Sequence, residues 1–215
     1  MPAQEIFGSP AVTAEALVRA MTEMQVFSAA PTGRAEFKAV KAQMKHEIAR
    51  VLDALGRTCG METVHESHPQ EFLYDVVWIA PSGTMGLAVE CETSMYVADV
   101  LYDFRKLLYA KAPLKLMVFS DSAQLRRQSI IDRIADELKA FHGHLPGEEY
   151  IVVQFCNFQT GCLEAYRFVA TRSVELEKFH AHTWPTSRGA TTRPLRNQRP
   201  KITTGRPTEK PTVRF

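Results

Sequence analysis

No apolar run approaches the ~18 residues of a membrane-spanning helix. The opening Met1-Pro2-Ala3-Gln4-Glu5 also lacks the basic-then-apolar order of a secretory signal. The expectation is a cytoplasmic protein with no membrane role. Cysteine is scarce: the four residues Cys59, Cys91, Cys156 and Cys162 include no C-x-x-C pair and no Cys/His cluster at zinc-finger spacing. All four are therefore expected to be reduced, mostly buried small hydrophobes. His142-Gly143-His144 and His180-Ala181-His182 offer two imidazoles each, one pair at an expected helix end and the other beside the C-terminal tail. A metal site needs more convergent ligands than that. No internal repeat is present.

What is present is an ordinary globular composition: 215 residues, 45% hydrophobic and 23% charged. One domain of about 150 to 180 residues with a tail is the simplest organisation. The net charge of +2 conceals an asymmetry. Residues 184–215 carry eight basic side chains, among them Arg188, Arg193, Arg196, Arg199, Lys201 and Arg206, against the single acid Glu209. With five prolines and many threonines, this segment has too little apolar surface to fold alone and reads as a flexible basic arm. Such an arm neutralises phosphates through counterion release; equally, a basic Pro-rich end serves solubility or docks on a protein partner.

Thr13 is placed to cap a helix over 14–26 with the stripe Leu17, Val18, Met21 and Met24. A second helix over 34–55 repeats Phe37, Val40, Met44, Ile48, Val51, Leu52 and Leu55, with Gly56 as its stop. The period then changes. Short β-branched and aromatic segments at 61–66, 71–79 and 86–93 read as an antiparallel meander, with Pro81-Ser82-Gly83-Thr84 the turn between the last two. A helix over 96–111, a strand over 114–119 and a helix capped by Asp121 or Ser122 and ended by Gly143 follow. Strands over 150–157 and 162–169, joined at Gln159-Thr160-Gly161, complete an order ααβββαβαββ. A meander followed by strand–helix–strand crossovers predicts an α/β fold: one mixed sheet flanked by helices on both faces.

The hydrophobic pattern breaks at three acids. Asp75 interrupts Tyr74-Asp75-Val76-Val77-Trp78, and Glu90 and Glu92 interrupt an equally apolar strand. Isolated carboxylates beside a core are costly without compensation. A two-residue loop Ser82-Gly83 would set Asp75 directly opposite Glu90, with Glu92 on the same face. Like charges so opposed destabilise a ladder unless a cation lies between them. Three hard-oxygen donors suit Mg²⁺, with Mn²⁺ able to substitute, and metal-assisted phosphodiester hydrolysis is the matching reaction. The bland alternative is a solvated hairpin face, although Glu92 would then oppose Leu73 and no base.

Asp75, the turn, Met85-Gly86-Leu87-Ala88-Val89-Glu90-Cys91-Glu92-Thr93, then Asp103-Phe104-Arg105-Lys106-Leu107-Leu108 and the apolar strand 114–119 resemble the PD-(D/E)xK nuclease superfamily. The similarity is closest to its BamHI-like restriction endonucleases, which carry E-x-E for E-x-K, and spans about residues 34–170. It implies a restriction-endonuclease-like core within 34–183, preceded by a helix and loop over 1–33 and followed by the tail 184–215. It further implies an endonuclease acting on DNA as a homodimer, with Asp75 and Glu90 binding the metal. Glu92 would stand where lysine is usual, to orient or deprotonate the attacking water. Lys106 would bring positive charge to the phosphate, and Glu47, in competition with Glu36, would be an added helix carboxylate ligand. Helix spacing alone equally permits a solvent-facing Glu47 and a Lys106 paired with Asp99 or Asp103. Two other functions fit the same residues: a nuclease-like module that binds DNA or scaffolds a complex without hydrolysis, and an acidic-core protein whose tail docks on a protein complex.

If the arm contacts phosphates, truncation at residue 184 weakens DNA binding and flattens its salt dependence, measured as Kd against ionic strength. An unchanged slope rejects a phosphate-binding role for the tail.

Overall fold

The computed structural model describes residues 13–24, 34–65, 74–93, 96–121, 123–156, 162–170 and 177–183. Thr13 caps α1 (Ala14–Thr22) as expected, its Oγ1 accepting from Ala16 N at 3.2 Å. Helix α2 (Arg34–Thr58) runs past Gly56. The real stop is Gly60, at φ 70°, where Met61 N donates to Gly56 O at 2.9 Å and Gly60 N to Arg57 O at 3.1 Å. Gly56 is small for a different reason: a Cβ there would lie 2.9 Å from both Thr63 Oγ1 and Trp78 Nε1. Its place is where the helix presses on the sheet.

The strands are β1 (Glu62–His65), β2 (Val76–Ile79), β3 (Met85–Glu92), β4 (Leu114–Asp121), β5 (Glu149–Cys156), β6 (Cys162–Val169) and β7 (Glu177–Thr183). They form one sheet in chain order, antiparallel at both ends and parallel across β3–β4–β5. Each parallel pair needs a crossover helix: α3 (Val97–Tyr109) joins β3 to β4, and α4 (Gln124–Ala140) joins β4 to β5. Successive right-handed crossovers in one direction put both helices on one face, where Val100, Phe104, Leu107, Ile130, Ile134 and Leu138 form a core with Met117, Phe119 and Val152. The other face is covered by α1 and α2, whose Leu17, Met21, Met44, Ile48 and Leu52 pack on Trp78, Val89, Leu116 and Ile151. The molecule is thus α/β, a mixed sheet with helices on both faces.

Three expectations need correction. Strand β7 was not expected, because Glu177–Thr183 is an edge strand whose only bulky apolar residue, Phe179, is half-buried, so its sequence carries no clear alternation. Asp121 belongs to β4 and does not cap α4, which starts after Ala123 without a side-chain cap; Asp121 Oδ1 instead accepts from Ala123 N at 2.8 Å. Cys162 is disulfide-bonded, whereas Cys59 and Cys91 are free thiols. Cys162 stands opposite Cys156 in the β5–β6 ladder, a cross-strand placement that sequence spacing does not reveal. Side chains of Phe37, Val40 and Glu36, the Gln159-Thr160-Gly161 turn, Ser122 and the tail lie outside the described residues. Among the described residues, no helix is long and apolar enough to cross a membrane.

Lys115 on β4 is fully buried. Its Nζ lies 2.9 Å from Glu148 Oε2, donates to Tyr150 Oη at 2.8 Å and sits 4.5 Å from the centre of the Tyr150 ring. Burial lowers its pKa and Glu148 opposes that fall. His144 closes the group, bonding Tyr150 Oη at 3.2 Å and Leu138 O at 2.9 Å, which gives it a packing role. Removing one partner of a buried pair leaves an uncompensated charge, whereas apolar replacement of both does not. Glu148→Ala should therefore cost about 3–5 kcal/mol in urea unfolding, and Lys115→Met with Glu148→Leu should recover most of the loss. A wild-type midpoint for Glu148→Ala would disprove the pairing.

Candidate active site

The β2–β3 hairpin sets the position of the acids through two offsetting departures from the simplest turn. Its loop is Pro81-Ser82-Gly83, three residues long, closed by Gly83 N donating to Ala80 O at 2.8 Å and Ala80 N to Thr84 O at 2.9 Å, with Gly83 at φ 80°. Alone, that loop would shift the register by one. A bulge between Trp78 and Ile79 takes up Gly86 as an extra residue and restores it, so that Trp78 pairs with Leu87, Val77 with Ala88 and Val76 with Val89. The ladder ends there. Asp75 lies in the bend before β2, one step short of the direct opposition to Glu90 that a continuous ladder would give.

From this bend Asp75 reaches β3 through its side chain: Oδ2 accepts the backbone N–H of Cys91 at 2.6 Å. Its Oδ1 lies 3.5 Å from Lys45 Nζ of α2. On β3, Leu87, Val89 and Cys91 belong to the α1/α2 core and Ala88 to the α3/α4 core. Alternation therefore turns Glu90 and Glu92 toward α3. Glu90 is only 2% exposed, and Lys106 Nζ of α3 stands 2.8 Å from its Oε1 and 2.8 Å from Asp103 Oδ1. Tyr74 Oη donates to the Lys106 carbonyl at 3.4 Å and holds that turn of α3 against the bend.

Burial pushes the Glu90 carboxyl up to about 8; Lys106 opposes the shift, and the charges of Asp75 and Asp103 add to it. Lys106 is raised, because its bonds to Asp103 and Glu90 outweigh the burial that works against its charge. Burial first, then Asp75, raises the Cys91 thiol far above its ordinary range, which leaves it protonated and unreactive.

The structure thus brings Asp75 and Glu90 into mutual electrostatic reach and adds Lys106 to Glu90. Half-buried Glu92 is two residues along β3. The expected gathering of all three acids around one point is not what is seen: among the described residues, no group of three or more His, Cys, Asp or Glu side chains is placed to hold a metal ion. Each of the two inner carboxylates faces a lysine from a different layer. Glu47 is engaged by Arg50, at 3.0 and 2.8 Å, and α2 lines the cavity at Asp75 with Lys45, Ile48 and Ala49. Lys45 is the residue that sequence reasoning missed; its only signal is its place on α2 beside the buried Met44. The tail residues Arg188, Arg193, Arg196, Arg199, Lys201 and Arg206 lie outside the described residues.

Compared with models of protein families and with curated proteins, the sequence matches none.

A raised carboxyl pKa means that the folded state holds a proton the unfolded state has released. Stability therefore falls as pH rises from about 4.5 to about 8, by at most ~1.4 kcal/mol per pH unit from this group, and levels off above. Urea unfolding in EDTA across this range should show a steeper decline for the wild type than for Glu90→Gln. Equal slopes would refute the assignment.

Proposed function

We propose that this protein is a divalent-metal-dependent nuclease that hydrolyses phosphodiester bonds in DNA, with Asp75 and Glu90 as its metal-binding carboxylates. The observation carrying this reading is the pair itself. One carboxylate in a bend and one almost fully buried in a strand lie within electrostatic reach of each other, and the fold supplies an ammonium group to each, at 3.5 and 2.8 Å. Two carboxylates at one end of a sheet suit a bound cation, a place that the two lysines take here. The donors are hard oxygens, as Mg²⁺ prefers, and Mn²⁺ would serve as well.

The surroundings support the same reading. The run α2-β1-β2-β3-α3-β4, with an antiparallel meander and a parallel β3–β4 pair, is the arrangement expected of a restriction-endonuclease-like core. Asp75 and Glu90 would hold the ion, which when bound polarises the phosphoryl group and lowers the pKa of water. Glu92, half-buried on the Glu90 face, would accept the proton of the attacking water as its oxygen bonds to phosphorus and the bond to the leaving sugar oxygen breaks. Asp75 would be oriented by the Cys91 N–H, and Lys106 would keep Glu90 in place. Action as a homodimer, with one site for each strand of a duplex, follows the same family likeness.

The lysine contacts also favour one rival. Because Lys45 and Lys106 balance the two inner carboxylates, the same fold would serve a nuclease-like protein that binds DNA without cutting it. Incubation with supercoiled and linear DNA in Mg²⁺, Mn²⁺ or EDTA separates the two. We expect metal-dependent cleavage, reduced on the order of 100-fold or more by Asp75→Ala or Glu90→Ala, a loss typical of removing a group that stabilises transition-state charge. Cleavage that survives both substitutions would sink the assigned site, and binding without cleavage would favour the rival.

A further inference from the structure

We infer that the substrate phosphate is held from the α2 side of the sheet, by Lys45, and that Lys106 is a positioning residue for Glu90. The inference rests on the phosphodiester reading above and adds to it the face from which the nucleic acid approaches.

Between α2 and the β1–β3 end of the sheet lies an open cavity of about 170 Å³, lined by Lys45, Ile48, His65, Asp75, Val89 and Cys91 among others. Asp75 is on its wall and Lys45 at its mouth, 45% exposed and 3.5 Å from Asp75 Oδ1. His65 is held there by Asp53 at 2.8 Å. On this side Lys45 stands against Asp75, beside the contact of His65 with Asp53. On the α3 side, Lys106 lies 2.8 Å from both Glu90 and Asp103.

An approaching phosphate would have to draw Lys106 from two carboxylates at 2.8 Å, whereas Lys45 lies 3.5 Å from Asp75. Lys106 is also the less exposed lysine, at 27%, and moving it away would leave a buried carboxylate uncompensated. Lys45 has the reverse properties. Its partner Asp75 keeps the Cys91 N–H when the ammonium turns outward, and its flexible stem lets the charge follow a phosphate oxygen.

Duplex oligonucleotide binding in Ca²⁺, cleavage in Mg²⁺, and a titration of ¹⁵N-lysine-labelled full-length protein with inorganic phosphate test this together. Lys45→Ala should weaken binding on the order of 10-fold and lower the salt slope by about one. Lys45→Arg should restore both, and phosphate should shift the Lys45 Nζ resonance. Lys106→Met should leave the salt slope as in the wild type. If the wild type cleaves while Lys45→Ala keeps its Kd, KM and salt slope, or if Lys106→Met alone lowers the slope, the inference fails and the nuclease reading stands. If the wild type does not cleave but Lys45 shifts with phosphate and Lys45→Ala weakens binding, the inference stands and hydrolysis falls. No oligonucleotide binding and no Lys45 shift overturn both.

Discussion

Every residue of β4 is buried, from Leu114 to Asp121. A central parallel strand has neighbours on both edges and helices on both faces, so it offers no side to water. Much of the molecule follows from that dry strand. Both crossovers fall on one face, so α1 and α2 must cover the other. Every polar group that β4 carries must be compensated within the protein. Lys115 is matched by Glu148 and Tyr150. At the carboxyl end, Asp121 is matched by the Ala123 N–H, by Arg126 at 3.2 Å and through its carbonyl by Arg127.

The acidic centre obeys the same constraint one strand away. Glu90 is aligned with Met117 of β4 and is as dry as its neighbour, which is why its carboxyl resists ionisation even with Lys106 beside it. Asp75 escapes the constraint because the ladder has ended and the chain bends. It lies where β3 passes from an antiparallel neighbour to a parallel one, toward the carboxyl end of the parallel strands, a usual place for ligands in open α/β sheets. Lysines from opposite helical layers meet the two acids. The partly exposed lysine and the shielded one are thereby suited to different work.

Much of this was legible in the chain. Thr13, the stripes of α1 and α3, the meander and both crossovers followed from periods of 3.6 and 2 and from local turn chemistry. The three acids stood out because each broke an apolar strand. What escaped notice had no local signal. Strand β7 is a polar edge. Gly56 resembles a helix stop, and only its approach to Thr63 and Trp78 explains it. The longer loop and the Gly86 bulge each shift the register, and only together do they preserve it.

The residue order of this protein determined its layers, its strand succession and the identity of the carboxylates, because side-chain periodicity and turn residues act over a few positions. Tertiary structure alone decided which charges meet. Lys45 went to Asp75 and Lys106 to Glu90. Those pairings depend on helix rotation and sheet register, where a displacement of a single residue exchanges one partner for another.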